Sequence, residues 1–367
     1  MLNDVRLSHR IFNILKGLEL KRIVRERTAL MPASRGRGQT IGSSTAVRIA
    51  LVTIGIGWLA MSTPALEAVQ RSFSHGALDA RLPVVQEHSY VVNARIRPLL
   101  LFWIGRDNIG DARLTRREAS EGRRAIEFLI GSDPDRAPRR INRWGFIIEE
   151  LGPEEGAILG LMSESNEETI DEAKAGIERH DGYSVFKVAL TTLATNRAAG
   201  GTMTVRAPAH LTYRELETVL ALIPAAPEHV RSVELPSGTQ KGFLVAMESM
   251  LRASVGPCRT ADGGRPKSVP SIPYLYNQTI FDLTLTSCKH EPELRTKGET
   301  FSDVIDGRFR LQNRTTKYDA EFRMLYGTSG DLREVPVRAT FRPRWWLEVE
   351  LQLDRTAKGG RRTFDDD

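Results

Sequence analysis

Apolar and polar side chains alternate along positions 345–353: Trp345, Leu347, Val349, Leu351 and Leu353 fall on one face, and Trp346, Glu348, Glu350 and Gln352 on the other. A period of two is what a half-buried antiparallel strand requires, because successive side chains leave opposite faces of the sheet. Apolar, β-branched and aromatic runs bounded by Gly, Asn, Asp and Ser predict further strands over 274–286, 309–313, 320–326 and 335–341, with Gly327-Thr328-Ser329-Gly330 turning one hairpin. Nearer the N-terminus the same signals predict a strand over 90–104, a turn at Gly105-Arg106-Asp107-Asn108, and strands over 109–115, 125–131 and 144–149. Pro98 cannot donate to a ladder, so it places the first of these at an edge or a bulge.

Between these β regions the period changes. Ser165 and Glu168 have capping-box spacing for a helix through Ile177, and Thr212 and Glu215 repeat it. Leu211 and Leu216 hold the staple positions of the second helix, which runs to about Leu222 before Pro224 stops it. Phe243, Leu244, Met247, Met250 and Leu251 recur at helical spacing within 240–253, a stripe that reads as core. A hairpin fits 183–195 and 201–207, turned at Ala198-Ala199-Gly200. The predicted class is therefore α+β and β-rich. Antiparallel meanders at 90–149 and 273–355 flank a mixed α/β segment at 150–255, and the two meanders could share one sheet or barrel. Residues 66–89 read as a linker, the Gly- and Pro-rich 256–272 as a loop, and 356–367 as a charged tail.

Ahead of all this lies an unbroken apolar run at 49–61, with Arg35, Arg37 and Arg48 before it and small residues at 62–68 behind it. That is the layout of a secretory signal peptide, with cleavage expected after Ala65 or Ala68, so 1–65 form a leader. Its upstream part is long for such a peptide, which suggests that translation starts at Met31 and that 1–30 lie outside the protein. Two other readings remain open. The stretch 49–66 could stay as an uncleaved anchor, or Gly55-Ile56-Gly57-Trp58-Leu59-Ala60 could match a dinucleotide fingerprint. The fingerprint needs a helix and further alternating strand–helix units behind it, whereas Pro64 interrupts the one and strands replace the other.

Export changes how charge and cysteines are read. Taking the ten basic and three acidic residues of 1–65 from 52 and 46 leaves 42 and 43, so the body is neutral. A global argument for nucleic acid fails, and only local patches count. Cys258 and Cys288 form an even pair expected to be bridged in an oxidising compartment.

Motifs for chemistry are sparse. Ser184-Val185-Phe186-Lys187 matches S-x-x-K, but it lies on a predicted strand, where residues three apart face opposite sides. The histidines are isolated from one another, and Asp133-Pro134-Asp135 lacks the other oxygen ligands of a calcium loop, so neither a metal nor a cofactor is expected. Glu149-Glu150, Glu154-Glu155 and Glu167-Glu168 read as solvated helix ends and loops. One constellation stands out: Arg136, Arg139, Arg140 and Arg143 lead into Trp144, and Arg342 and Arg344 lead into Trp345 and Trp346. Guanidinium groups fork onto phosphate or carboxylate, and Trp offers a flat face. The partners this predicts are an anionic envelope polymer or a lipid head group and not nucleic acid, with membrane contact only through the leader or anchor. The expected function is that of an exported, β-rich envelope protein with a binding or structural role; the alternative is a secreted hydrolase acting on an envelope glycan or ester.

Overall fold

The computed structural model describes residues 82–97, 103–119, 122–163, 182–261, 263–264, 266, 269–296, 299–344 and 346–356; the side chain of Arg139 is not described. Alternating apolar positions build fourteen strands there: β1 (Val84–Ile96), β2 (Ile104–Glu118), β3 (Arg124–Ser132), β4 (Trp144–Leu151), β5 (Gly156–Ser163), β6 (Tyr183–Leu193), β7 (Arg197–Pro208), β8 (Arg231–Glu234), β9 (Ile272–Tyr276), β10 (Thr279–Arg295), β11 (Thr300–Asn313), β12 (Asp319–Gly327), β13 (Pro336–Arg344) and β14 (Leu347–Leu353). They form one sheet in the order β8-β7-β6-β5-β4-β3-β2-β1-β14-β13-β12-β11-β10-β9. From β1 to β8, and again from β9 to β14, each strand pairs antiparallel with the next in sequence. Among the described residues a single long-range seam joins β1 to β14, from Tyr90 opposite Leu353 to Ile96 opposite Leu347.

Among the described residues two α-helices interrupt the meander, α1 (Leu216–Leu220) and α2 (Phe243–Arg259). The second links the two edge strands, β8 and β9, and its apolar stripe of Leu244, Met247, Met250 and Leu251 is buried. The core around it draws Ile126, Ile147, Ile158, Leu193 and Ala198 from β3 to β7, and Tyr274, Leu283, Phe309 and Tyr326 from β9 to β12. A flat sheet could not bring those strands onto one helix, so the sheet is rolled. Its β9 edge meets the inner face of β5 to β7: Gln278, in the β9–β10 turn, donates to Thr191 Oγ1 at 2.7 Å, and the Tyr276 hydroxyl lies over Gly160. Among the described residues no ladder joins β8 to β9, so the roll is closed by side chains and by α2.

Several expectations from the sequence hold. The last strand alternates as read at Leu351, Gln352 and Leu353, but it begins at Leu347, and Trp346, read on its polar face, is buried. Thr212 and Glu215 form a reciprocal capping box, with Thr212 N donating to Glu215 Oε2 at 2.7 Å and Arg214 N to Thr212 Oγ1 at 3.2 Å. Both staple leucines, Leu211 and Leu216, are buried; the helix opens as a 3-10 turn and ends at Leu220.

Others need correction. β1 begins at Val84 and not at 90, because its first residues are wet on both faces and carry no alternation. The expected turn at 105–108 lies within β2. Residues 107–109 bulge opposite Asn93, whose Oδ1 accepts from Asn108 N at 2.8 Å. The strand expected at 274–286 is two strands joined at Asn277 and Gln278, with φ of 45° and 53°. That two-residue turn wants Asn-Gly, and Gln in place of Gly hid it. β6 and β7 turn at 194–196, and Gly200 lies in β7, where a Cβ would collide with the Leu190 carbonyl and the Gln278 side chain. Finally, α2 continues through Gly256 and Pro257 into the expected loop, its last turn held by the buried Cys258. The mixed reading of 150–255 is thus only loosely right: in the described part strand outweighs helix about two to one. The helix expected at 165–177, the leader and the charged tail from 357 onward lie outside the described residues.

Candidate interaction surface

The first arginine cluster follows β3, where the chain makes a 3-10 turn at Pro138–Arg140 before entering β4. Arg136 does not face solvent as a free cation. Its guanidinium bonds Asp111, Asn108 and, at 2.7 Å, Asp133, while Tyr213 donates to Asp111 at 2.5 Å and Arg214 reaches Asp133 at 2.9 Å. Burial disfavours the charged Asp133, yet the Asp135 N–H, Arg136 and Arg214 outweigh it and hold the carboxyl below its ordinary range. This network fastens the segment before α1 to β2 and β3. Arg140 is 82% exposed and only loosely paired with Asp135 at 3.6 Å. Trp144 is 3% exposed, its ring 4.7 Å from Phe186, so it is core and no flat face for a ligand. Arg143 donates its backbone N–H to Ser132 Oγ at 2.9 Å.

The second cluster sits at the β13–β14 hairpin. Arg344 and Trp346 are buried, and Trp345 lies outside the described residues. Arg342 is exposed, bonds Glu348 at 2.9 Å and lies 5.3 Å from the centre of the Trp103 ring; Arg97 lies 5.9 Å from that ring. Cation–π contacts of this kind hold a partly exposed indole between two guanidinium groups. Beside it, Ile96 pairs with Ile104 on one side and Leu347 on the other. The two predicted clusters therefore occupy the same end of the sheet, one on β3 and β4 and the other on β13 and β14, with β1 and β2 between them. Trp103 and Arg97 were missed as site residues. Their signal was present as the apolar run at 99–104 following an arginine.

Away from this end, the paired carboxylate Glu149 departs from its reading as solvated. It is fully buried on the inner face of β4, and its oxygens accept from Leu244 N and Val245 N, both at 2.9 Å. These are N–H groups that the first turn of α2 leaves without intrahelical partners. Gly242, with φ of 147°, lets the chain approach, since a Cβ there would strike the carboxylate. Burial pushes the Glu149 carboxyl up to about 7 against the helix N–H groups, which favour its charged form. At the other end of α2, Cys258 is bonded to Cys288 of β10 with Cα atoms 5.7 Å apart, and Arg259 bonds Asp303 at 2.7 Å. Among the described residues no cluster of His, Cys, Asp and Glu could hold a metal ion, and no helix is long and apolar enough to cross a membrane.

No protein-family profile matches the chain, and no curated protein does. Similar solved structures include a β-barrel-like protein of the domain of unknown function DUF1849 from Brucella abortus, 9% identical, with a TM-score of 0.33 over 74% of this chain and 96% of that one. Another is a candidate lipoprotein from Parabacteroides distasonis, also 9% identical, with a TM-score of 0.23 over 73% of this chain and 94% of that one. At such TM-scores neither likeness carries function or location to this chain.

Proposed function

We propose that the chain is an exported envelope protein with a binding or structural role. The observation that carries this reading is the Cys258–Cys288 bridge, buried at the foot of α2 where it ties the central helix to β10. Structural bridges persist in oxidising compartments and are rare in a reducing cytosol. The apolar run at 49–61, with basic residues before it and small ones after it, would take the chain to such a compartment. The interior favours a binding or structural role over the rival hydrolase acting on an envelope glycan or ester. α2 and its aromatic neighbours fill the roll, and Glu149, whose raised pKa would otherwise suit a general acid, has both oxygens turned to helix N–H groups.

Cell fractionation with thiol trapping tests this reading. The protein is expected in the extracytoplasmic fraction, with both cysteines resistant to alkylation until a reductant is added. Recovery from the cytoplasm with both thiols alkylated would overturn it.

A further inference from the structure

We propose that the rim built from the ends of β1, β2, β13 and β14 docks onto an anionic lipid surface. The proposal rests on the reading of the chain as an exported envelope protein and gives that protein's surface a partner. At this rim β2 runs past the end of β3: Gly110 opposes Ser132, the last residue of β3, and the Ile109 carbonyl accepts from Asp133 N. Residues 104–107 therefore project with β1 alone beside them, by about 13 Å at the ordinary strand rise.

What projects is amphipathic in a particular way. Ile96 and Ile104 are 36% and 47% exposed, lie directly opposite each other, and continue across the β1–β14 seam to Leu347. The alternation of the strands puts these three on one face and Trp103 with Arg97 on the other. Around them Arg95, Arg97, Arg106 and Arg342 outnumber the acidic Asp107 and Glu348. Glu348 is shared between Arg95 and Arg342, at 3.8 and 2.9 Å, so it neutralises at most one of them.

Exposed isoleucines near a strand tip, a partly exposed tryptophan and forked cations beside them are the three kinds of side chain that a bilayer interface takes up. The apolar side chains meet the acyl boundary, the indole sits at head-group level, and the guanidinium groups reach lipid phosphates. A soluble polyanion would use the arginines alone and leave both isoleucines in water. Only a lipid surface takes both, which decides between the two partner chemistries. Docking here would add a membrane contact separate from the apolar run at 49–61.

The test uses the full chain on vesicles of phosphatidylglycerol and brominated phosphatidylcholine, reading Trp103 as the difference between the protein and its Trp103→Phe variant. Trp103 emission is expected to shift to the blue and to be quenched by bromine. Ile96→Ser with Ile104→Ser should abolish that quenching while the circular dichroism spectrum stays unchanged. A second variant, Arg97→Gln with Arg106→Gln, should lose the dependence on phosphatidylglycerol. Three results would each overturn the proposal: Trp103 unquenched while the other tryptophans show the chain on the vesicles, quenching that survives the Ser pair, or the same blue shift produced by soluble polyphosphate alone. Export is read separately by fractionation. An oxidised, exported protein with unquenched Trp103 sinks only the docking, whereas a cytoplasmic, reduced one sinks the envelope reading beneath it.

Discussion

A carboxylate held out of water against a helix N-terminus stands between opposed forces. Burial favours the neutral form of Glu149, the N–H groups of Leu244 and Val245 favour the charged one, Glu248 adds repulsion, and the balance lies at about 7 against 4.5 for an ordinary glutamate. The folded state therefore holds this proton over a pH range in which the unfolded chain has released it. The group's stabilising contribution is complete below about pH 4.5 and is lost as the pH rises through about 7. A shift of that size is worth about 3 kcal/mol. Denaturant unfolding between pH 4.5 and 8 should thus show the protein losing roughly that much more stability than its Glu149→Gln variant, which cannot titrate. Parallel curves would mean that the carboxyl titrates normally. Glu149→Leu, measured the same way at pH 7, should cost about 2 to 4 kcal/mol because two helix N–H groups lose their acceptor, and Gln should cost less. None of this was legible in Phe146-Ile147-Ile148-Glu149-Glu150, where an inward glutamate looks like an outward one. Only the register, with Ile126 and Ile158 on either side, shows which way it faces. The arginine clusters met the same obstacle from the other direction. A sequence shows Arg136 and Arg344 as cations but cannot show that one is bound to Asp111 and Asp133 and the other is buried.

Among the elements, strands with one wet face were the readable ones. β12 and β14 carry charged residues on the outer face, where Arg323 bonds Asp306 and Arg338 approaches Glu350, and the alternation is plain. β4 and β5 are both buried on two faces and carry no period; the aromatic and β-branched Phe146-Ile147-Ile148 still marked β4 as a strand, whereas Gly156 to Ser163 gave β5 no such signal. Turns failed where their chemistry was unusual, as at Asn277-Gln278, and where a glycine served close packing inside a strand, as at Gly200. The end of α2 was misread because Gly256-Pro257 signals a stop that tertiary contacts override. Those contacts converge on the disulfide, which closes a separation of 30 residues and spans the connection from α2 through β9 to β10. Replacing both cysteines by serine should lower unfolding stability by about 3 to 4 kcal/mol on the chain-entropy model, read as a fall in the urea midpoint at constant slope. An unchanged midpoint would show that the packing of Ser254 and Met250 fixes the helix end without the bridge.

At the scale of the whole molecule, the sheet order joins two meanders that are far apart in sequence into one sheet. β1 is bonded to β2 on one side and to β14 on the other, and α2 takes its packing partners from β3 to β7 and from β9 to β12 alike. The sequence allowed a shared sheet but could not choose it, because the β1–β14 seam depends on pairing residues such as Val92 and Leu351 across most of the chain. Such long-range pairing makes folding slow. Leu351 is buried in the seam's core beside Tyr90, Val92 and Val337. Truncating it to Ala should cost about 2 to 5 kcal/mol. If the roll is one unit, hydrogen exchange followed by mass spectrometry should show the most protected amides of β4 to β6 and of β9 accelerating by the same factor in the Leu351→Ala variant, although neither group belongs to the cluster around the substituted residue. Acceleration confined to β12, β13, β14 and β1 would mean that the two meanders open independently. In that case α2 would be a connector between two domains and not their common core.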